Sequence, residues 1–151
     1  MKVHLKQIPP EGLHLEGEDP AAILELNDPS VQPKGDVRWA LDIGLSEGGL
    51  FATGQLAVDL GLQCVSCLKK FTYPLRVEDF ATQMELAGSE TVDLTDQVRE
   101  DILLALPPYP HCDWNGRSVC KGATRKTNES PASHDESHTW DELDKLKFKS
   151  N

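Results

Sequence analysis

The sequence predicts an α+β fold, in which an antiparallel β-sheet meander of long strands is covered by one main helix. Three runs, at residues 37–45, 50–63 and 71–86, alternate apolar and polar residues with the period of a strand that has one buried face. One helical stripe follows at residues 94–106. A C-x-x-C knuckle separates the second run from the third, and the chain ends in a polar tail.

The first 35 residues carry weaker signals. Residues 2–17 predict one or two short strands around a Pro-Pro-Glu-Gly turn. Asp19 and Pro20 suit the N-cap and first position of a short helix that follows them. Residues 27–35 have the composition of a loop.

The long runs predict three consecutive antiparallel strands with the cysteine pair in their second connection. In the third run the apolar positions slip by one residue between Val77 and Phe80. A β-bulge near Glu78 and Asp79 would explain the slip.

The helix is expected to begin near Asp93 and to end before Pro107 and Pro108, which cannot continue it. Its stripe should cover the apolar face of the sheet. The stripe comprises Leu94, Val98, Ile102 and Ala105, widened by Leu103 and Leu106.

Residues 1–120 are predicted to form a single α+β domain, and residues 121–151 a flexible tail rich in polar residues. The tail ends in a short amphipathic motif with apolar residues at helical spacing. We expect Trp140, Leu143 and Leu146 in this motif to contact a partner.

The net charge is −10, and residues 1–120 carry all of it, with 9 Lys and Arg against 19 Asp and Glu. This balance disfavours a broad RNA-binding face and favours a basic protein partner. No apolar run approaches membrane-spanning length, and the start of the chain lacks a continuous apolar signal region. We therefore expect a cytoplasmic protein, and in that compartment paired cysteines are more often metal ligands or redox thiols than disulfides.

The four cysteines fall into two clusters, Cys64 with Cys67 and Cys112 with Cys120. They predict a zinc site if they converge on one tetrahedral centre, with His111 as a substitute ligand. The second pair is separated by seven residues, more than a structural zinc knuckle usually has, although Asn115-Gly116 could fold the loop back.

Two alternatives to zinc stay open. Four reduced thiols, some of them buried as small apolar groups, would explain the same pattern. A thiol oxidoreductase would also use C-x-x-C, but it needs a helix N-terminus to lower the thiol pKa, and the residues after Cys67 predict a strand.

Several motifs together resemble the YceD family, also called DUF177. They are Cys64-x-x-Cys67-Leu68-x-x-Phe71, Val92-Asp93-Leu94, the run from Val98 to Pro107, Cys112, and the closing Trp140-Asp141-Glu142-Leu143-Asp144-Lys145-Leu146-Lys147. The last is similar to the family's C-terminal motif, with Ser137-His138-Thr139 in place of the usual Asp-Pro-Arg opening.

The resemblance implies a role in accumulation of large-subunit (23S) rRNA, hence in ribosome biogenesis, with no established enzymatic activity. We expect a basic ribosomal protein or a large-subunit precursor particle as partner, and no small-molecule substrate. The alternatives are a zinc-ribbon-like adaptor that binds RNA directly and an enzyme, either a thiol oxidoreductase or a zinc hydrolase. Against hydrolysis, no carboxylate or histidine is spaced to act as a general base beside the knuckle.

Overall fold

The computed structural model describes residues 1–46, 49–86, 88 and 90–122, and the strand pattern of the sequence accounts for most of it. Seven strands and one α-helix follow in chain order. They are β1 (Lys2–His4), β2 (Leu13–Asp19), β3 (Val31–Pro33), β4 (Val37–Ser46), β5 (Gly49–Gln63), β6 (Lys70–Glu85), β7 (Thr91–Asp93) and α1 (Thr95–Leu104). No helix in the described residues is long and apolar enough to cross a membrane.

β5 is the central strand of the main antiparallel sheet. One edge of β5 pairs with β6 over nearly its whole length, and the other pairs first with β4 and then, closer to the knuckle, with β3. β2 continues the sheet beyond β4. β1 and β7 form a separate two-stranded sheet. The predicted order of three long strands with the cysteine pair in their second connection is confirmed.

Alternation gives the sheet one core face and one outer face. On β5 the core face carries fully buried Leu50, Leu56, Leu60 and Leu62. On β6 it carries buried Leu75 and Phe80, which sit on either side of the slip in alternation. The predicted bulge is confirmed, because Glu78 and Asp79 stand opposite the single residue between Gly54 and Leu56.

The helix covers the core face, as predicted. Leu94, Val98 and Ile102 are buried in the same apolar cluster as the sheet residues. The prediction that Ala105 and Leu103 belong to the buried stripe is wrong, because both are exposed. Ala105 lies beyond the last helical residue, and Leu103 points away from the sheet. With its helix on one face of an antiparallel sheet, the fold is α+β.

Two predictions for the first 35 residues are wrong. Asp19 does not cap a helix. It is the last residue of β2, where it pairs with Val37, and its carboxylate accepts the indole N–H of Trp39 at 3.0 Å. A single 3₁₀ helix, Ala21–Leu24, follows instead. The predicted loop at residues 27–35 contains β3, which exists because the edge of β5 beyond β4 offers it hydrogen bonds.

The side chain of Asp93 makes hydrogen bonds to Thr95, the first residue of the helix. One carboxylate oxygen accepts both the backbone N–H and the hydroxyl of Thr95. The Thr95 hydroxyl, helped by the backbone N–H and opposed by partial burial, lowers the pKa of Asp93. We expect Asp93→Ala to lower the free energy of unfolding by about 1 kcal/mol, the usual net contribution of an intramolecular hydrogen bond.

The pH dependence of the stability that Asp93 contributes has a definite sign. A depressed folded-state pKa gives stability above the unfolded pKa that is lost as pH falls through the folded pKa. Chemical denaturation at neutral and acidic pH measures it. Asp93→Asn is the matched control, since an amide oxygen still accepts the N–H but does not titrate. An alanine variant as stable as the native protein at neutral pH would contradict the assignment.

Candidate metal centre

The first half of the site is the tight connection from β5 to β6. The backbone N–H of Cys64 donates to the carbonyl of Lys69, and the N–H of Leu68 donates to the carbonyl of Cys64, both at 2.9 Å. Leu68 has φ of 60°, a left-handed conformation uncommon for a residue with a side chain. The reversal keeps Cys64 and Cys67 on the same side of the turn.

The second half is supplied by residues 107–122, which fold back onto this turn. The N–H of Val65 donates to the carbonyl of Pro110 at 2.9 Å. The ring of Trp114 meets Tyr73 of β6 edge-on, with centroids 4.9 Å apart. The loop reverses at Asn115-Gly116, where Gly116 has φ of 68°. The seven-residue spacing is therefore accommodated by a second turn.

The four cysteine sulfurs meet between these two segments. Cys64 Sγ lies 3.7 Å from Cys120 Sγ, and Cys67 Sγ lies 3.6 Å from Cys112 Sγ. All four lie within 4.8 Å of one another. Sulfurs bound at about 2.3 Å to one tetrahedral ion would be about 3.8 Å apart, whereas a disulfide needs about 2.05 Å. The four cysteines are thus close enough to hold a metal ion.

The surroundings shift the pKa values of Cys64 and Cys112 in opposite directions. Burial opposes ionisation of Cys64, but backbone N–H groups of Cys67, Cys112 and Ser66 outweigh it and lower its pKa to about 6. Burial, followed by the neighbouring Cys67 thiol, raises the pKa of Cys112 to about 12. Backbone N–H groups that point at a sulfur favour the thiolate, which is the form that binds metal.

One protein-family profile matches the second half of the chain. The profile of the family described as "Large ribosomal RNA subunit accumulation protein YceD" matches residues 78–147. This match supports assignment of the chain to the YceD family. The matched segment includes α1, Cys112 and Cys120. No curated protein and no solved structure matches the chain.

His111 and the tail motif were also predicted as site features of this chain. The four sulfurs lie together without His111, whose ring Nδ1 lies 3.3 Å from the hydroxyl of Ser66. The tail motif of Trp140, Leu143 and Leu146 lies outside the described residues.

Gly122 is a site residue that sequence reasoning missed. A Cβ at this position would lie 2.2 Å from the carbonyl oxygen of Ser66 and 2.8 Å from the backbone nitrogen of Cys67. The turn at residues 121–122 therefore packs directly on the knuckle backbone. Only its place two residues after a cysteine could have signalled this contact.

We expect Gly122→Ala to weaken metal binding by about 10- to 100-fold, the range typical of changes just outside a metal's ligands. The reason is that the added methyl pushes Cys120 away from the knuckle. Competition with a chromophoric chelator measures the affinity. Val119→Ala, in the same loop but 88% exposed, is the control and should leave affinity unchanged. Equal affinities for both variants would contradict the contact's role.

Proposed function

We propose that this protein is a non-enzymatic ribosome biogenesis factor that supports accumulation of large-subunit (23S) rRNA in the cytoplasm. The observation that carries the proposal is the match to the YceD family over residues 78–147. The first test is genetic. Cells that lack the protein should have a lowered ratio of large- to small-subunit rRNA, and the native gene should restore it. An unchanged ratio would end the proposal.

The proposed cofactor is one structural zinc ion bound by Cys64, Cys67, Cys112 and Cys120. The donor chemistry supports zinc, because four thiolates at tetrahedral spacing are the ligand set of closed structural sites. A closed set keeps no coordination position for a substrate or a reactive water. This supports a role in holding residues 107–122 on the sheet rather than catalysis.

The proposed partner is a strongly basic protein, such as an unassembled ribosomal protein. Its support is the excess of carboxylates in residues 1–120 and their exposure, since no charged residue in the described part of the chain is buried. Exposed carboxylates attract Lys and Arg side chains that would otherwise bind RNA phosphates. Such attraction weakens as salt shortens the screening length to about 10 Å at 0.1 M.

A pull-down from growing cells at low and high salt tests the partner. We expect basic ribosomal proteins to be recovered at low salt and lost as salt rises. Recovery of naked rRNA alone, or of basic proteins with no dependence on salt, would refute the partner. Trp140, Leu143 and Leu146 are proposed as additional contacts, so deletion of residues 124–151 should reduce recovery.

A further inference from the structure

The outer face of the main sheet is the side away from α1. Its positive and negative side chains are concentrated in different halves of that face. Arg38 on β4 and Arg76 on β6 stand on either side of Ala57, each paired with it in the register. All three side chains point outward, because they alternate with the buried core residues. The backbones of Arg38 and Arg76 are separated by two strand spacings, each of about 4.8 Å.

Two lysines extend this positive region toward the knuckle. Lys70 pairs with Gln63 at the end of β5 and faces outward with Arg76. The aliphatic stem of Lys34 lies across Gly61 of β5, since a Cβ there would come within 2.7 Å of the Lys34 Cε. Arg38, Arg76, Lys70 and Lys34 thus occupy the half of the outer face nearer the knuckle, which we call the cationic half.

Little negative charge neutralises the cationic half. Arg38 lies 3.6 Å from Asp59, an exposed pair of the kind that contributes little. A second carboxylate, Glu18 on β2, is paired with Arg38 in the strand register. Among the described residues, Lys34, Lys70 and Arg76 have no ion-pair partner.

The other half of the outer face is acidic. Glu16 and Asp42 continue the face on β2 and β4, and the bulge adds Glu78 and Asp79 on β6. A concave cavity of about 540 Å³, bordered by Arg38, Ala57 and Arg76 on one side and by Glu16 and Glu78 on the other, lies at the boundary. A polyanion placed on this sheet is therefore attracted to one half and repelled by the other.

We propose that the cationic half binds the phosphate backbone of single-stranded RNA. Its outward side chains include four long cations. Between them β5 presents small Ala57 and Gly61 and one carboxylate, Asp59, which pairs with Arg38, so a chain of phosphates meets several cations on an open surface. Contacts to phosphate position RNA without reading its bases, so binding is independent of sequence. The choice of RNA as the polyanion rests on the proposed function. The acidic half stays available to the basic protein partner.

The test is binding of a short fluorescent single-stranded RNA to the full chain, followed by anisotropy. Between about 50 and 200 mM salt, four phosphate contacts should give a slope of log K against log salt of about −2.8. The double variant Lys70→Glu with Arg76→Glu should bind at least about tenfold more weakly, with a slope about 1.4 units shallower. Two RNAs of unrelated sequence should bind equally.

The charge control is Lys2→Glu with Lys6→Glu, on β1 and in the turn that follows it, which changes the net charge by the same amount. It should change the affinity less than about threefold, because β1 belongs to a different sheet from the strands that carry the cationic half. A milder pair, Lys70→Gln with Arg76→Gln, gives an intermediate loss and is read together with circular dichroism, so unfolding is not mistaken for lost binding.

Three results would overturn the inference. They are absence of RNA binding by the native chain at low salt, equal losses in the two glutamate variants, and strong preference for one RNA sequence. None of them bears on the rRNA ratio in cells or on recovery of basic proteins, so this inference and the proposed function fail separately.

Discussion

Replacing Gly54 with alanine should lower the free energy of unfolding by about 2–5 kcal/mol, from backbone strain together with overpacking. Gly54 has φ of 153°, a conformation that residues with a side chain rarely adopt. A Cβ would lie 2.1 Å from the carbonyl oxygen of Ala40 and 2.9 Å from the Cα of Leu41. These are backbone atoms of the paired strand β4, so β4 and β5 must separate to admit the methyl.

Gly35→Ala is the control for this variant. Gly35 is exposed and has no atom within 4 Å of the position its Cβ would take. The same substitution there should be neutral, or stabilising by up to about 1 kcal/mol through a less flexible unfolded chain. Urea denaturation of the two variants compares them directly. A Gly54 variant as stable as the Gly35 variant would show that the strands adapt without cost.

Removing the metal should have the second large effect. Protein purified without chelators should contain about one equivalent of zinc, and Cys67→Ser or Cys112→Ser should lose it. An ion that joins Cys64 to Cys120 cross-links positions 56 residues apart. By the chain-entropy relation used for disulfides, such a link contributes about 4 kcal/mol. Its loss should lower Tm by roughly 10 °C.

Elemental analysis and thermal denaturation, with and without chelator, measure these effects. Ser66→Ala, between the two knuckle cysteines, is the control and should retain the metal. A native chain that holds no metal and has four freely titratable thiols would contradict the zinc proposal. So would a Cys67→Ser variant that keeps a full equivalent.

Features encoded in neighbouring residues could be predicted from the sequence. Alternation located the three long strands, and its slip at Glu78 and Asp79 located the bulge, because each residue's face follows from its neighbours. The C-x-x-C pair could be placed between strands for the same reason. These signals needed no knowledge of which strand pairs with which.

Features that depend on pairing could not be predicted in this way. β3 is three residues long and forms only because the edge of β5 extends beyond β4. The docking of residues 107–122 depends on a hydrogen bond between Val65 and Pro110, 45 residues apart along the chain. The net charge of the chain does not predict the cationic half of the outer face. Arg38 and Arg76 come together only because both pair with Ala57 in the strand register.

The bulge on β6 also makes the strand tolerant of a shorter sequence. Removing one residue from a regular strand turns every side chain beyond it to the opposite face. Here two residues stand opposite one, so loss of Asp79 alone would leave Val77 paired with Leu56 and Phe80 paired with Gly54, each still directed to the core. At this position in the β5–β6 hairpin, a one-residue deletion would leave the core-facing side chains on the core face. Homologues of different length could therefore share one core.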